Sequence, residues 1–135
     1  MKSVVIITSS AQSIINFRAS FIKLLCDSGY KVYALAPDYN NAIRDEVANL
    51  GSIPIDIEID RASISPLSDL INTLKLTVTL RKIKPSIVLS YFIKPVIYGS
   101  IASFLAGVPY RYSMIEGLGR IFIDSDRKSI KKYLI

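Results

Sequence analysis

The stretch ITSSAQSIINFR, residues 7–18, places hydroxyl and amide side chains between an apolar run and a predicted helix. Free N–H groups at a helix start attract anions, and Asn16 and Arg18 would add an amide and a guanidinium for a phosphate or carboxylate. The stretch contains neither G-x-G-x-x-G nor G-x-x-x-x-G-K-[ST], which argues against the usual dinucleotide and nucleotide cradles. The alternative is that Ser13 caps the helix and that Arg18 lies on a solvated face.

A lysine directly before a proline is the second candidate. Lys94 stands at the predicted N-terminus of a helix, where the macrodipole disfavours a cation. A bound anion would compensate for this position, and so would simple exposure to solvent. Tyr91 ends the apolar strand that leads into this segment.

The segment IEGLGR, residues 115–120, follows another apolar strand and is the third candidate. Gly117 and Gly119 permit positive φ angles or a close approach of the backbone to a ligand. Glu116 offers a carboxylate that can act as a base or accept hydrogen bonds from sugar hydroxyls. The alternative is a plain turn with a solvated glutamate.

The net charge of +6 favours anionic partners such as phosphates or an acidic membrane face. A cluster of cations in the last residues alternates with Ile130, Tyr133 and Leu134, as in a segment that faces a membrane. These membrane-facing cations are Arg127, Lys128, Lys131 and Lys132. No recognition helix or aromatic platform accompanies the basic residues, so nucleic acid is disfavoured as a partner.

Composition restricts the chemistry further. The chain has no histidine and one cysteine, which argues against a metal site and excludes a histidine-dependent nucleophile. We therefore expect no metal and no cofactor. A single cysteine, no signal peptide and no apolar stretch of membrane-spanning length predict a cytoplasmic protein, with peripheral association at the inner membrane as an option.

Apolar strands alternate with helices along the whole chain, which predicts an α/β fold with a doubly wound parallel sheet. The predicted strands are 4–8, 31–37, 53–60, 86–91 and 110–115, and the predicted helices are 14–28, 41–50, 66–82, 95–106 and 125–135.

The periodicity adds detail to this fold. The strand at 53–60 alternates apolar and polar residues and is expected at a sheet edge. Two helices carry an apolar stripe, formed by Phe17, Phe21, Leu24 and Leu25 in one and by Leu67, Leu70, Leu74 and Val78 in the other.

Ligands of such sheets bind at the carboxyl ends of the strands. In this chain that edge comprises residues 8–18, 37–42, 60–65, 91–95 and 115–120.

The segments INFRASFIKLLCDSGYKVYALAPD and IKPSIVLSYFIKPVIYGSIASFLAGVPYRYSMIEGLGRIF, in this order, resemble the N-terminal half of family-4-type, GT-B-fold bacterial glycosyltransferases. Enzymes of this family make lipid-linked polysaccharides such as O-antigen and capsule. The resemblance covers essentially the whole chain, and its most specific parts are N-F-R at 16–18, K-P at 94–95, A-G-V-P at 106–109 and E-G-L-G at 116–119.

In that family two Rossmann-like domains face each other across a cleft. The resemblance implies that this chain is the acceptor-side domain, while a C-terminal domain would hold the nucleotide-sugar donor. It places Asn16, Arg18 and Lys94 near a lipid-linked saccharide acceptor or its diphosphate. Gly117 and Gly119 would line the cleft on the acceptor side, and Glu116 would be the catalytic residue of a retaining transfer.

No second Rossmann-like domain follows within the 135 residues. We therefore expect residues 1–135 to form one domain that lacks the donor site, as a truncated product, an excised domain or one subunit of a split enzyme. Two alternatives remain open. One is a non-catalytic module that docks a partner or the membrane surface, and the other is half of a nucleotide-sugar epimerase, whose acid–base chemistry a histidine-free domain supplies poorly.

Overall fold

A computed structural model describes residues 2–59 and 66–114. Its five strands, all paired in parallel, form one sheet in the order β3-β2-β1-β4-β5. Their bounds are β1 Ser3–Ile7, β2 Lys31–Ala36, β3 Ile53–Asp56, β4 Ile87–Tyr91 and β5 Tyr110–Met114. The predicted α/β class with a doubly wound, Rossmann-like parallel sheet is confirmed, and β3 lies at an edge as its alternating sequence indicated.

The helices of the described part are α1 Ala11–Ser13, α2 Ala19–Asp27, α3 Asn41–Asn49, α4 Pro66–Ile83 and α5 Ile93–Ala106. A π-helical turn, Ile14–Arg18, joins α1 to α2. The helix predicted at 14–28 thus begins at Ala11 with Ser10 as its N-cap, and the expectation that Ser13 caps it is wrong. Strand β3 is shorter than the predicted 53–60, and the helix predicted at 125–135 lies outside the described residues.

Strand β1 divides the core into two layers. All five of its residues are buried, and it pairs with β2 on one side and β4 on the other. Val4 and Ile6 pack with Ile22 of α2 on one face of the sheet. Val5 and Ile7 pack on the other face with α4 and α5, through Leu76, Leu80 and Ala102. A strand covered on both faces favours apolar residues on both sides, which explains why Val4 to Ile7 show no alternation of apolar and polar residues.

Helix α5 lies close to the sheet because it presents small side chains there. Gly99 and Ala102 are buried. A Cβ atom on Gly99 would lie 2.5 Å from Ser90 Oγ and 3.3 Å from Ile7 Cδ1. The small-residue side of this helix therefore sets the distance between α5 and β4.

The apolar stripe of α4 faces away from the sheet. Leu67 is 69% exposed, and Leu70, Leu74 and Val78 are each at least half exposed. The buried side of the helix instead includes Thr73 and Thr77, whose hydroxyls donate to the carbonyls of Asp69 at 2.7 Å and Thr73 at 2.8 Å. These bonds satisfy the hydroxyls within the helix, so threonine can be buried without an unpaired polar group.

Helix α2 and the preceding π-helical turn show this inversion in part. Phe17 is 66% and Leu24 63% exposed, whereas Ile22 is buried and Leu25 of the predicted stripe packs against the core. The apolar stripe of α4 thus lies away from the sheet, and that of α2 is divided between the core and the surface. Among the described residues, none of the helices has the length and apolar character needed to cross a membrane.

The close approach at Gly99 makes a testable prediction. Alanine is usually favoured over glycine in a helix by about 1 kcal/mol. Gly99→Ala is nevertheless expected to lower the free energy of unfolding by about 1–3 kcal/mol, because the new methyl group meets Ser90. Urea denaturation measures this effect.

The matched variant is Gly99→Ala in a Ser90→Ala background, which removes the hydroxyl oxygen that the methyl group meets. In that background Gly99→Ala should lower the free energy of unfolding by a smaller amount. A Gly99→Ala protein at least as stable as the parent would contradict this close approach of α5 to β4.

Candidate functional site

The neighbouring strands β1 and β4 mark the point where the order of the sheet reverses. The chain leaves β1 towards β2 and β3, and then crosses back to β4 on the other side. The segments that follow β1 and β4 therefore diverge and leave a crevice between them, where ligands of doubly wound sheets bind. Residues 8–18 and 91–95 flank this crevice.

A buried hydroxyl network closes the base of the crevice. Tyr91, the last residue of β4, has its hydroxyl 2.9 Å from Ser13 Oγ. Ser13 Oγ donates its own proton to the Ser10 carbonyl, so it accepts the hydrogen bond from Tyr91. Thr8 Oγ1 lies 3.3 Å from the same Ser13 oxygen. The network fixes the segment after β1 to the end of β4.

Arg18 lies on the ring of Tyr91. The guanidinium carbon is 4.7 Å from the ring centroid, which is cation–π geometry. The Nη1 atom donates to the Phe17 carbonyl at 3.3 Å, and the side-chain atoms Nε and Nη2 are buried. The alternative that Arg18 lies on a solvated face is therefore wrong, because the side chain packs against the end of β4.

A carboxylate of the chain itself occupies the start of the first helix. Asp38, just after β2, accepts a hydrogen bond of 2.7 Å from the Ala11 amide. The Ser13 amide is also bonded, to the side chain and carbonyl of Ser10. The loop that lacks glycine thus forms a turn closed by serine and aspartate side chains. Because the amides of Ala11 and Ser13 are already hydrogen-bonded within the chain, Arg18 remains the candidate anion-binding group of this segment.

The residue after Tyr91 has a strained backbone. Phe92 has φ 71° and ψ 158°, a region that is essentially restricted to glycine. Its ring centroid lies 5.0 Å from that of Tyr91. Strained residues and π-helical turns are both enriched at functional sites, and this chain has one of each beside Tyr91.

Lys94 belongs to a second polar cluster, between α4 and α5. Its Nζ is 4.0 Å from Asp69 Oδ1, and Tyr98 donates to the other oxygen of Asp69 at 2.7 Å. The carboxylate raises the pKa of Tyr98 because its hydrogen bond favours the protonated phenol. Asp69 thus offsets the unfavourable position of a lysine at a helix N-terminus, which neither explanation from the sequence anticipated.

The predicted site residues fall into separate groups. Arg18 packs on the side of the sheet that α2 covers, against the ring of Tyr91. Lys94 follows Tyr91 closely in the sequence, but it packs on the side that α4 covers, beside Asp69. Asn16 is exposed, and its Oδ1 accepts from Gln12 Nε2 at 3.1 Å. Other predicted residues lie outside the described part of the chain: Glu116, Gly117, Gly119, Arg127, Lys128, Lys131 and Lys132.

Burial controls the titration of two tyrosines near the crevice. It raises the pKa of Tyr91, an effect that the positive charge of Arg18 opposes. It also raises the pKa of Tyr39, whose hydroxyl donates to the Ala34 carbonyl at 2.7 Å. Both phenols are therefore protonated at neutral pH. In residues 2–59 and 66–114, no group of three or more carboxylate or thiol side chains is placed to hold a metal ion.

The parallel sheet and the polar cluster at its switch point define a Rossmann-like domain. No family model matches the chain. A curated relative, N,N'-diacetylbacillosaminyl-diphospho-undecaprenol alpha-1,3-N-acetylgalactosaminyltransferase from Campylobacter jejuni, is 32% identical over 125 residues. The alignment covers 91% of this chain and 32% of the relative, so the chain spans about a third of that enzyme's length.

Solved structures agree on the fold. Acinetobacter baumannii MurG matches with a TM-score of 0.62 and 18% identity, over 84% of this chain and 34% of that one. UDP-GlcNAc 2-epimerase from Neisseria meningitidis matches with a TM-score of 0.57 and 18% identity, over 82% and 31%. At these identities the likeness concerns the fold alone. Together with the curated relative, it confirms the resemblance to glycosyltransferases of the GT-B type.

The strain at Phe92 predicts an inverted order of stability for two substitutions. At a positive φ angle glycine is less strained than alanine. Phe92→Gly should therefore be more stable than Phe92→Ala by about 1 kcal/mol in urea denaturation, with the loss of the ring common to both. Ile93, the first residue of α5, serves as the control, since glycine should be the less stable substitution there. A Phe92→Ala protein more stable than the Phe92→Gly protein would show that the backbone at position 92 is not strained.

The buried phenols predict sensitivity to alkali. Because the folded state raises the pKa of Tyr39 and Tyr91, the unfolded chain loses these protons first, from about pH 10. Stability should be unaffected below that pH and fall above it, by up to about 1.4 kcal/mol per pH unit for each group. Urea denaturation between pH 8 and pH 11 measures the slope. A Tyr39→Phe/Tyr91→Phe protein whose slope equals that of the parent would contradict the assignment.

Proposed function

We propose that this chain is the N-terminal, acceptor-side domain of a glycosyltransferase that moves a sugar from a nucleotide sugar to a lipid-linked glycan. The similarity over 125 residues to the Campylobacter jejuni transferase carries the proposal. That relative's name specifies an undecaprenol-diphosphate-linked acceptor, so the acceptor proposed here combines a saccharide, a diphosphate and a polyprenyl chain.

Arg18 is the residue proposed to meet the anionic part of this acceptor. Its guanidinium is held against the Tyr91 ring beside the crevice between the segments after β1 and β4. A planar cation fixed by stacking loses little conformational freedom when it binds a diphosphate. Arg18 would thus orient the acceptor, with Asn16 and Lys94 as further acceptor contacts nearer its periphery.

The chemical step is proposed to involve residues that do not belong to the hydroxyl network of Thr8, Ser13 and Tyr91. Glu116, with Gly117 and Gly119, follows β5 in the sequence and is proposed to line the catalytic cleft. A C-terminal domain, in the same or another polypeptide, would bind the nucleotide sugar. Catalysis would rest on positioning the acceptor and stabilising the departing nucleoside diphosphate.

A lipid-linked acceptor places the reaction at a membrane surface. We propose that the protein works at the cytoplasmic face of the inner membrane as a peripheral protein. The net charge of +6 supports attraction to acidic lipids, and the proposed basic surface includes Arg127, Lys128, Lys131 and Lys132.

The proposed role of Arg18 predicts a selective loss of acceptor binding. In a transferase assay with a donor domain supplied, Arg18→Lys and Arg18→Gln should lower kcat/KM for the acceptor about tenfold to a hundredfold. Lysine keeps the charge but not the planar fork, so it should rescue only part of the loss. The KM for the nucleotide sugar should not change.

Lys23→Gln is the matched control, because Lys23 is an exposed cation on α2 outside the proposed site. Glu116→Gln should lower kcat at least about a hundredfold with little effect on either KM. Unchanged turnover in the Arg18 and Glu116 variants would contradict the site. Absence of transfer in every mixture, together with retained vesicle binding, would favour a non-catalytic docking module.

A further inference from the structure

A polar cluster between α4 and α5 lies at the edge of the sheet that carries the crevice. Lys94, in the first turn of α5, places its Nζ 4.0 Å from Asp69 Oδ1, and these side chains are 22% and 12% exposed. Tyr98, one turn further along α5, donates to Asp69 Oδ2 at 2.7 Å. We call Lys94, Asp69 and Tyr98 the Lys94 cluster. It lies at the carboxyl edge of the sheet because α5 begins directly after β4.

Asp69 gives the Lys94 cluster an overall charge of zero. Residues 66–107 contain five cations and one carboxylate, whereas the other described residues contain six cations and six carboxylates. The whole net charge of the described part thus belongs to the segment that contains α4 and α5, yet its one carboxylate lies beside Lys94. The hydrogen bond to Asp69 raises the pKa of Tyr98, so this phenol is also uncharged at neutral pH. The cluster is therefore polar, but it has no excess positive charge to attract an anion.

The distance between the ammonium and the carboxylate matches a bridging hydroxyl group. At 4.0 Å the two groups are too far apart for a direct hydrogen bond. A hydroxyl oxygen about 2.8 Å from each of them would accept from Lys94 Nζ and donate to Asp69 Oδ1. A diphosphate oxygen accepts but has no proton to donate at neutral pH, and the carboxylate would repel it. The pair thus favours a neutral ligand that carries hydroxyl groups.

Arg18 and the Lys94 cluster therefore suit different parts of one molecule. The Arg18 guanidinium lies on the Tyr91 ring, and its planar donors match a diphosphate. Lys94 is three positions after Tyr91, so the Cα atoms of these two residues lie within about 11 Å of each other. A ligand that crosses the sheet edge at the end of β4 would contact Arg18 on one side and the Lys94 cluster on the other.

We propose that Lys94 and Asp69 form a saccharide subsite, in which a hydroxyl group of the acceptor sugar bridges the ammonium and the carboxylate. Tyr98 is a positioning residue, because its hydrogen bond fixes the orientation of the Asp69 carboxylate. This inference rests on the proposed function, since its ligand is the saccharide part of the proposed acceptor. It assigns Lys94 to the sugar, leaves the diphosphate to Arg18 and thereby sets the direction in which the acceptor lies across the sheet edge.

NMR titration of the full ¹⁵N-labelled chain tests the subsite with two kinds of probe. The neutral probes are the methyl glycosides of glucose, N-acetylglucosamine and N-acetylgalactosamine, and the anionic probe is inorganic pyrophosphate. At least one glycoside should shift the amide resonances of residues 93–98. Asp69→Asn and Lys94→Gln should each weaken its binding at least about tenfold, because each removes a charged hydrogen-bonding partner.

The two sites should respond to substitution in opposite ways. Tyr98→Phe should weaken glycoside binding about threefold and leave pyrophosphate binding unchanged, which a general loss of structure would not do. Arg18→Gln should weaken pyrophosphate binding at least about tenfold and leave glycoside binding unchanged. Asp69→Asn should not weaken pyrophosphate binding. If Lys94→Gln instead lost pyrophosphate binding and kept glycoside binding, Lys94 would be an anion contact and the inference would be overturned.

The chain offers a matched control for the structural role of these contacts. The Lys94 cluster also joins α4 to α5, and at the other end of the two helices Arg81 Nη2 donates to the Leu105 carbonyl at 3.1 Å. Arg81→Gln removes that second connection and should leave glycoside binding unchanged. Circular dichroism and urea denaturation verify that each variant is folded. A loss of glycoside binding in Arg81→Gln as large as that in Asp69→Asn would overturn the inference, as would the absence of binding by all three glycosides.

The transferase assay distinguishes this inference from the proposed function. With a donor domain supplied, Asp69→Asn and Lys94→Gln should raise the KM for the acceptor about tenfold and leave the KM for the nucleotide sugar unchanged. Transfer that neither substitution affects would refute the subsite and leave the transferase intact. Glycoside binding that depends on Asp69 and Lys94, without transfer in any mixture, would sustain the subsite and refute the transferase.

Discussion

The fold depends on the burial of β1 between two strands and two helical layers. Every residue of this strand is buried, and its two backbone edges are paired with β2 and β4. From Val4 to Ile7 this strand is apolar without a break, so the next polar residue, Thr8, marks the carboxyl edge of the sheet. The position of β1 at the centre also creates the switch point, because the chain must leave it on one side and return on the other.

The hydroxyl network at that edge links the two halves of the sheet. Tyr91 joins the end of β4 to Ser13 of the first helix, and the guanidinium of Arg18 packs on the Tyr91 ring. The strained Phe92 and the π-helical turn lie on either side of this contact. Both cost conformational energy, and both lie directly beside the buried Tyr91 at the end of β4. The residues that carry this conformational cost therefore lie next to Arg18, the residue proposed to bind the acceptor.

Sequence periodicity predicted the architecture well and the orientation of the helices poorly. Strands such as VVIIT are unambiguous because a parallel sheet covered on both faces tolerates only apolar residues. The apolar stripe of α4 was equally clear, yet it lies outside, since Thr73 and Thr77 satisfy their hydroxyls within the helix and take the inner face. Periodicity reports that a helix has two unlike sides, and only packing decides which side meets the sheet.

The candidate site was likewise only partly predictable from the sequence. The sequence predicted that residues 8–18 and 91–95 lie at one edge of the sheet, because the ends of parallel strands meet there, and the structure places them after β1 and β4. It did not reveal that Asp38 occupies the helix start, that Arg18 stacks on Tyr91 or that Asp69 pairs with Lys94. Each of these contacts joins residues from different elements, at separations from 25 to 73 positions. A pattern within one element cannot contain that information.

The uneven distribution of charge has a kinetic consequence. With its net charge confined to the layer of α4 and α5, the described part of the molecule carries a permanent electric dipole across the sheet. In the field of a negatively charged surface this dipole favours an orientation of the described part in which the layer of α4 and α5 faces that surface. The torque acts over about 10 Å at moderate ionic strength, which is enough to bias orientation during the last step of diffusion.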